Sequence, residues 1–398
     1  MINTSQQMIY RLEALNNAQS RISYQLSTGK ELQNGSDDSV KFNRLISIDD
    51  KIRRFEGIED QINKTAVQNT VADSSVSEIK LFMESIKVEL IKANTETTTD
   101  EGKKSIAKNL EGIKENLLDL ANSRVDGAYI FAGSDSTVRP FVKDSNGKVS
   151  YEGDSKLRNI AVDEGSYRER GVNGFDMMMY PSDSALSNEG LTFSSRDRII
   201  DQSGFEWIPQ DVNGNFKGDA SFDETNTAQL VRFDLSGNET VQTLSVTANG
   251  TTPETWTTEN VGNGFDSSTQ GIKLEAKTLI FDIIDDAVNT LNGLGLDGQS
   301  TTTDILDQNI DSILDSFDEA YDAVNIAHSD LGARNKVFEI SLESVQARLT
   351  QYNILSLEIG AADLAKVAVE SKALELTFSA LYTTINKTNE LSLVNFIR

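Results

Sequence analysis

Apolar positions near the C-terminus fall at alternating spacings of three and four, through Leu357, Gly360, Leu364, Val367, Ser371, Leu374, Phe378, Leu381, Ile385, Thr388 and Ser392. The N-terminus does the same through Met8, Leu12, Leu15, Gln19, Ile22 and Leu26. Sustained over more than about three heptads, this alternation keeps one narrow seam on one helix face and predicts a coiled coil. Neither end has a sequence neighbour to pack against, so the simplest fold pairs the two termini as a stalk. Two helices alone are too thin to bury that surface, which implies partner subunits.

Between the ends the pattern predicts long helices interrupted by a β-rich stretch. Helix 1 spans about Thr4–Thr28 and is closed by Gly29. The turn Asn34-Gly35-Ser36-Asp37-Asp38 caps a second helix. That helix carries Leu45, Ile48, Ile52, Phe55, Ile62, Ile79, Phe82, Ile86 and Leu90, and if continuous it is about 75 Å long. A break over Thr97–Asp100 precedes a third helix with Ile106, Leu110, Ile113, Leu117 and Leu120 on one face. From Phe131 to about Gly271 short β-rich runs take over: Lys148–Tyr151, Leu157–Val162, Leu230–Leu235 and Val241–Thr247. Asn-Gly pairs at Asn146, Asn213 and Asn249 are hairpin signals between them. Helices are expected to resume at about Ile272, the first running to Leu291. After a Gly-rich turn over 292–303, Asp304 caps another. Its apolar face (Leu306, Ile310, Ile313, Phe317, Ala320, Val324) runs beside an acidic stripe of Asp304, Asp307, Asp311, Asp315, Asp318 and Asp322. The stripe reads as a solvated face, with an electrostatic partner surface as the alternative.

The predicted fold class is mainly α with an inserted β-rich domain, long antiparallel helical arms, and N- and C-terminal helices paired as a coiled-coil stalk. Residues 1–33 and 361–398 are the stalk, 34–135 and 272–360 the long-helix body, and 136–271 the insert. The positions of Pro140, Pro181, Pro209 and Pro253, all in the middle of the chain, agree with this division.

Composition narrows the function classes. A chain of 398 residues is long enough for two or three domains. No run of about 18 apolar residues is present, so no membrane partner is expected. The opening MINTSQQMIYRL lacks a basic region followed by an apolar one, so no cleaved secretory signal is expected. The absence of cysteine removes disulfides, thiol catalysis and thiolate metal sites. A net charge of −25 argues against a nucleic-acid partner. Residues 1–33 carry +1 and residues 361–398 carry zero, which leaves −26 in the middle. Near-neutral ends can pack against copies of themselves, while an acidic body resists non-specific contact.

Candidate chemistry is sparse. His328 is the single histidine, and a HExxH zinc site needs two on one helix face. No GxSxG elbow accompanies it for Ser-His-Asp catalysis, so it reads as structural. Neither GxxxxGK[ST] nor a strand-linked GxGxxG is present, and no cofactor is expected. The segment from Asp211 through Asn213, Asn215 and Lys217 to Asp219 spaces oxygen ligands two apart, as a calcium loop does. Phe216 stands at the sixth position, where glycine belongs, and Phe222 at the twelfth, where glutamate belongs. Turn chemistry accounts for the same residues, so no metal site is assigned.

QLSTGK (Gln25–Lys30), followed by GSDD (Gly35–Asp38), resembles the N-terminal signature of flagellin-like axial proteins. LANSRVDGAYIFAGSDSTVRPF (Leu120–Phe141) is similar to the helix-to-insert transition of the hook–filament junction family among them, and YEGD (Tyr151–Asp154) and NGFD (Asn173–Asp176) resemble its insert. DLGARNKVFE (Asp330–Glu339), ADLAKVAVE (Ala362–Glu370) and LSLVNF (Leu391–Phe396) resemble its last two helices. Gly35 and Ser39 stand where the family usually has prolines beside the SDD turn, and residues 182–271 match no family segment.

The resemblance implies a non-enzymatic adaptor exported to the outside of the cell through the flagellar apparatus without a cleaved signal. It further implies a ring of copies between the first junction protein and flagellin, and an export chaperone on the C-terminal helix. Subunit packing would then fall to Met8, Leu12, Leu15, Ile22 and Leu26, opposite Leu364, Val367, Leu374, Phe378, Leu381 and Ile385. The same residues could pack within one subunit, and both can hold. The alternative is flagellin, the filament subunit itself.

Overall fold

The computed structural model describes residues 2–95, 98–144, 147–186, 190–194, 196–201, 205–217, 219, 221–233, 239–249, 255–258, 273–294 and 303–396. Among them are seven helices: α1 (Ile2–Thr28), α2 (Ser39–Ala93), α3 (Asp100–Ala121), α4 (Gly174–Met178), α5 (Ile280–Leu291), α6 (Thr303–Gly360) and α7 (Leu364–Phe396). No described helix is long and apolar enough to cross a membrane. The chain divides into one unit of Met1–Gln61, Val162–Glu164 and Ser341–Arg398, and a second of Ile62–Ala161 and Gly165–Ile340.

In the first unit α1 ends where Gly29 turns to φ +70°, a left-handed geometry that glycine adopts without a Cβ clash. The two turns beside the terminal helices are joined by backbone bonds. Glu31 N–H donates to Gly360 O (2.7 Å) and Ala362 N–H to Gly29 O (2.8 Å), which makes Lys30 and Ala361 an antiparallel bridge. Anchored this way, α1 and α7 lie against one another. Asp38 starts α2 as its N-cap, with Oδ1 accepting from Val40 N–H (3.1 Å) and Lys41 N–H (3.0 Å). Asp37 Oδ2 accepts from the backbone of Gln33 and Asn34 (3.1 and 2.9 Å) and closes the turn. Further along, Phe55 of α2 stacks on Tyr352 of α6 with centroids 5.7 Å apart.

In the second unit five helices share a core, with α4 contributing Phe175, Met177 and Met178. The core also holds Ile79, Met83, Ile86 and Leu90 of α2, Leu110 and Leu117 of α3, Phe281 and Ile284 of α5, and Phe317, Val324 and Leu331 of α6. Thr99 caps α3, its side chain accepting from Gly102 N–H. Three small strand pairs follow α3. They are β1 (Arg124–Val125) with β2 (Ala128–Tyr129), β3 (Phe141–Lys143) with β4 (Val149–Tyr151), and β5 (Arg158–Asp163) with β6 (Ser166–Arg170).

The larger sheet comprises β7 (Met179–Leu186), β8 (Thr192–Ser194), β9 (Arg198–Asp201), β10 (Glu206–Asp211), β11 (Thr227–Phe233), β12 (Glu239–Ala248), β13 (Thr255–Thr258) and β14 (Lys273–Leu279). Its spatial order is β7-β14-β9-β10-β11-β12-β13-β8, and every recorded pairing is antiparallel. Leu191, Phe193, Ile199, Trp207, Leu230, Leu244, Trp256 and Leu274 fill its core. Among them, the Asp201 carboxylate is held by Arg232 (2.8 Å) and Trp207 Nε1 (3.3 Å).

One element departs from the sequence expectation. Residues 273–279 do not open a helix at Ile272; they form β14, inside the sheet between β7 and β9. Leu274 and Ala276 are buried two residues apart, the period of a strand. A helical reading of the same stretch comes from its continuity with the apolar face of α5, which starts at Ile280.

Candidate assembly surfaces

Burial along the terminal helices coincides with part of the 3-4 pattern, while Gln19 and Leu357 are exposed. Met8, Leu12 and Leu15 are half-buried and Ile22 is buried. On α7, Val367 is buried and Leu374, Phe378, Leu381 and Ile385 are half-buried. Arg21 and Glu370 approach to 4.0 Å across the pair, both largely exposed. Leu26 (46% exposed) and Leu364 (51%) lie off this intrachain seam. Near the end of α1 the seam passes instead through Ala18, Ile22 and Gln25. Gln25 is buried because its Nε2 donates to Glu31 O at 2.7 Å, a bond that the stitched turns make possible. The 3-4 spacing passes over it by stepping from Ile22 to Leu26.

The opposite face of α7 is also apolar. Ala365, Val369, Ala373, Leu376 and Ala380 recur at spacings of four and three, and all are exposed. Sequence reading followed the large residues and missed this second stripe of mostly small ones.

The motif segments of the chain middle converge in the second unit. Tyr151 hydroxyl lies within hydrogen-bond distance of two carbonyls, Phe131 O (3.1 Å) and Asp154 O (2.9 Å), and shares its one proton between them, linking the FAG and YEGD segments. Asp154 Oδ1 accepts from Ser134 N–H at 2.9 Å. Asn173 caps α4, its Oδ1 accepting from Asp176 N–H at 2.7 Å, and its Nδ2 donates to Ser155 O at 3.0 Å. Phe141 rests on Tyr151 and Phe281 (centroids 5.0 and 5.7 Å). These motifs thus build one packed knot where the helices meet the first strands.

The chemical candidates take structural places. His328 Nε2 lies 3.0 Å from Asp73 Oδ1, bridging α6 and α2. Asp211 Oδ1 accepts from the backbone N–H of Asn213 (2.8 Å) and Asn215 (2.9 Å), and Oδ2 from Asn215 Nδ2 (3.0 Å) and Asp223 N–H (3.1 Å). Burial raises the pKa of this carboxyl, but the hydrogen bonds outweigh it and hold the group down at about 2. Its oxygens are occupied as the hub of a turn, and no group of three or more metal-ligating side chains occurs among the described residues. Of the acidic stripe, Asp311 Oδ1 accepts from Asn94 Nδ2 (2.8 Å) and Asp318 pairs with Lys87, both bonds reaching α2. The side chains of Asp304 and Asp307 lie outside the described residues.

A cleft of about 800 Å³ opens between α3, α5 and the β3–β4 hairpin. On its floor Lys114 Nζ contacts both oxygens of Asp285 (2.6 and 2.7 Å) and Gly147 O (3.1 Å), while Arg196 holds Asp286 at 2.9 Å. Asp282, 5% exposed, has its pKa pushed up to about 6 by burial, against the charges of Lys148 and Arg196.

The family described as bacterial flagellin N-terminal helical region matches residues 2–136. Flagellar hook-associated protein 3 of Salmonella typhimurium is 25% identical over 235 residues, covering 56% of this chain and 73% of that protein. Its Escherichia coli namesake is 26% identical over 167 residues, 40% of this chain and 51% of that one. The crystal structure of flagellar hook associated protein-3 from Legionella pneumophila shares the fold with a TM-score of 0.50 at 16% identity, over 78% of this chain and 98% of that one.

Proposed function

We infer that this chain, a flagellin-like protein of the hook-associated type, is a structural component of the bacterial flagellum that joins the hook to the flagellin filament. Its task is mechanical: it works among hook and filament proteins, and no reaction is assigned to it. The observation that carries this reading is the similarity to flagellar hook-associated protein 3 of Salmonella typhimurium over 56% of this chain, joined by the flagellin-type match of residues 2–136. Those residues build α1, its stitched turn, α2 and α3.

In detail, copies of the chain form a ring at the distal end of the hook, between the first hook-associated protein and flagellin. Residues 1–33 and 361–398 serve as a coiled-coil stalk and 34–135 with α5 and α6 as the body, while the insert, which takes in β14, meets solvent. The chain leaves the cell through the flagellar export apparatus, and a chaperone covers its C-terminal helix. Subunit packing uses the seam of Met8, Leu12, Leu15, Ile22, Leu26, Leu364, Val367, Leu374, Phe378, Leu381 and Ile385, together with the exposed outer face of α7 at Val369 and Leu376. Two supports are physical. The ends are near neutral in a chain of net −25, so copies approach there with least repulsion. A pair of helices also leaves outward apolar faces uncovered, which only further helices can bury.

Deleting the gene tests the reading. Hooks are expected to form without attached filaments, with flagellin released into the medium, and a plasmid copy is expected to restore attachment. Normal attached filaments in the deletion strain would contradict it.

A further inference from the structure

A small, partly open cavity of about 20 Å³ lies beside α2, lined by Gln68, Asn69, Gly133, Arg158, Arg170 and Gly171 among others. Its lining is rich in donors. Asn69 is 3% exposed, and its Nδ2 meets no acceptor among the described residues. Arg170 Nη1 donates to Gln68 Oε1, and Arg158 Nη1 donates to Ser136 Oγ at 3.1 Å. Neither guanidinium makes an ion pair with a carboxylate among the described residues. Of the acceptors nearby, Gln68 Oε1 accepts from Arg170 and Gly171 O from Arg334 Nη1 at 3.0 Å. Burial first, and then the charge of Arg158, lower the pKa of Arg170, as expected where positive charge lacks compensation. Asp135 feels the charge of Arg158, but its carboxylate oxygen accepts from Thr137 N–H at 2.9 Å.

We propose that this cavity binds one small monovalent anion of chloride size, held by Asn69 Nδ2 and the guanidinium groups of Arg170 and Arg158. Size sets the first limit. About 20 Å³ suits a single water-sized species and excludes phosphate or sulfate. Charge decides between the occupants of that size. A bridging water needs acceptors as well as donors, whereas an anion uses donors alone and gains charge-assisted bonds from arginine. Bound there, the anion ties α2 at Asn69 to the segments at Gly133, Arg158 and Arg170, beside the motif knot, so halide concentration contributes to how firmly that knot holds. The inference is independent of the flagellar role.

The test uses the purified full chain. Melting is followed while sodium chloride replaces sodium gluconate at constant ionic strength, and crystals soaked in bromide are examined for anomalous scattering. A peak in the cavity is expected, with a melting temperature that rises by a few degrees with chloride. That rise should shrink in Arg158→Gln, whose exposed side chain can change without disturbing the core, and vanish in Arg170→Gln. No bromide peak in the cavity, or a peak without chloride-dependent melting (an adventitious ion only), would overturn the proposal. So would a chloride dependence unchanged in both variants.

Discussion

Gly174 sits where a Cβ would come within 2.6 Å of Phe141 Cζ and 2.7 Å of Tyr151 Cε2. Gly133, at φ +92°, has no room for one beside Asp154. Inside the motif knot Gly174 lets the backbone close on aromatic rings, and Gly133 lets it close on Asp154. Gly174→Ala is therefore expected to cost about 2–4 kcal/mol, measured by urea unfolding, because overpacking forces rings off their rotamers. Asp282 provides a second residue-scale outcome. Its folded pKa of about 6 lies above the ordinary 3.8, so between those values the folded state binds the proton more tightly than the unfolded state. Stability associated with this group accordingly rises as pH falls through 6 toward 4, and at pH 7 its burial costs about 3 kcal/mol. Asp282→Asn should raise stability at pH 7 and flatten the slope between pH 4 and 7 in denaturation curves. An unchanged slope would reject that assignment. Phe378→Asp places a carboxylate in the α1–α7 seam, where loss of solvent penalises charge. The purified variant is expected to keep the circular dichroism of its body, while flagella of the strain carrying it lose their filaments by electron microscopy.

At the scale of elements, α1 and α7 depend on each other. Isolated helices of this kind are marginal in water, and the bonds from Glu31 to Gly360 and from Ala362 to Gly29 join the two at their bases. Removing residues 364–398 should unfold α1 as well, so helical signal should fall by more than the α7 share. The long helices were legible because period-3.6 patterns persist over many turns and the caps at Asp38 and Gly29 are local chemistry. β14 was not, since seven residues running directly into an amphipathic helix offer too few positions to separate period 2 from period 3.6. Gln25 in the seam was not legible either. Its burial depends on a carbonyl, that of Glu31, which is placed by a turn stitched to the other end of the chain. The same holds for the knot: FAG, YEGD and NGFD were readable as motifs, but their convergence is a tertiary fact carried by Tyr151 and Asn173.

Across the whole molecule, the large sheet enters and leaves by adjacent strands. Met179 at the start of β7 pairs with Leu279 at the end of β14, so replacing residues 180–278 with a short loop closes a small gap. The shortened chain is expected to retain the helical core by circular dichroism and to support filament attachment. Its role as an adaptor, rather than as the filament subunit, is tested most directly by where the protein lies. Immunogold labelling of isolated flagella with an antibody to residues 182–271, viewed by electron microscopy, is predicted to show gold confined to a short collar at the distal end of the hook. Gold along the whole filament would contradict the account and make the chain a flagellin.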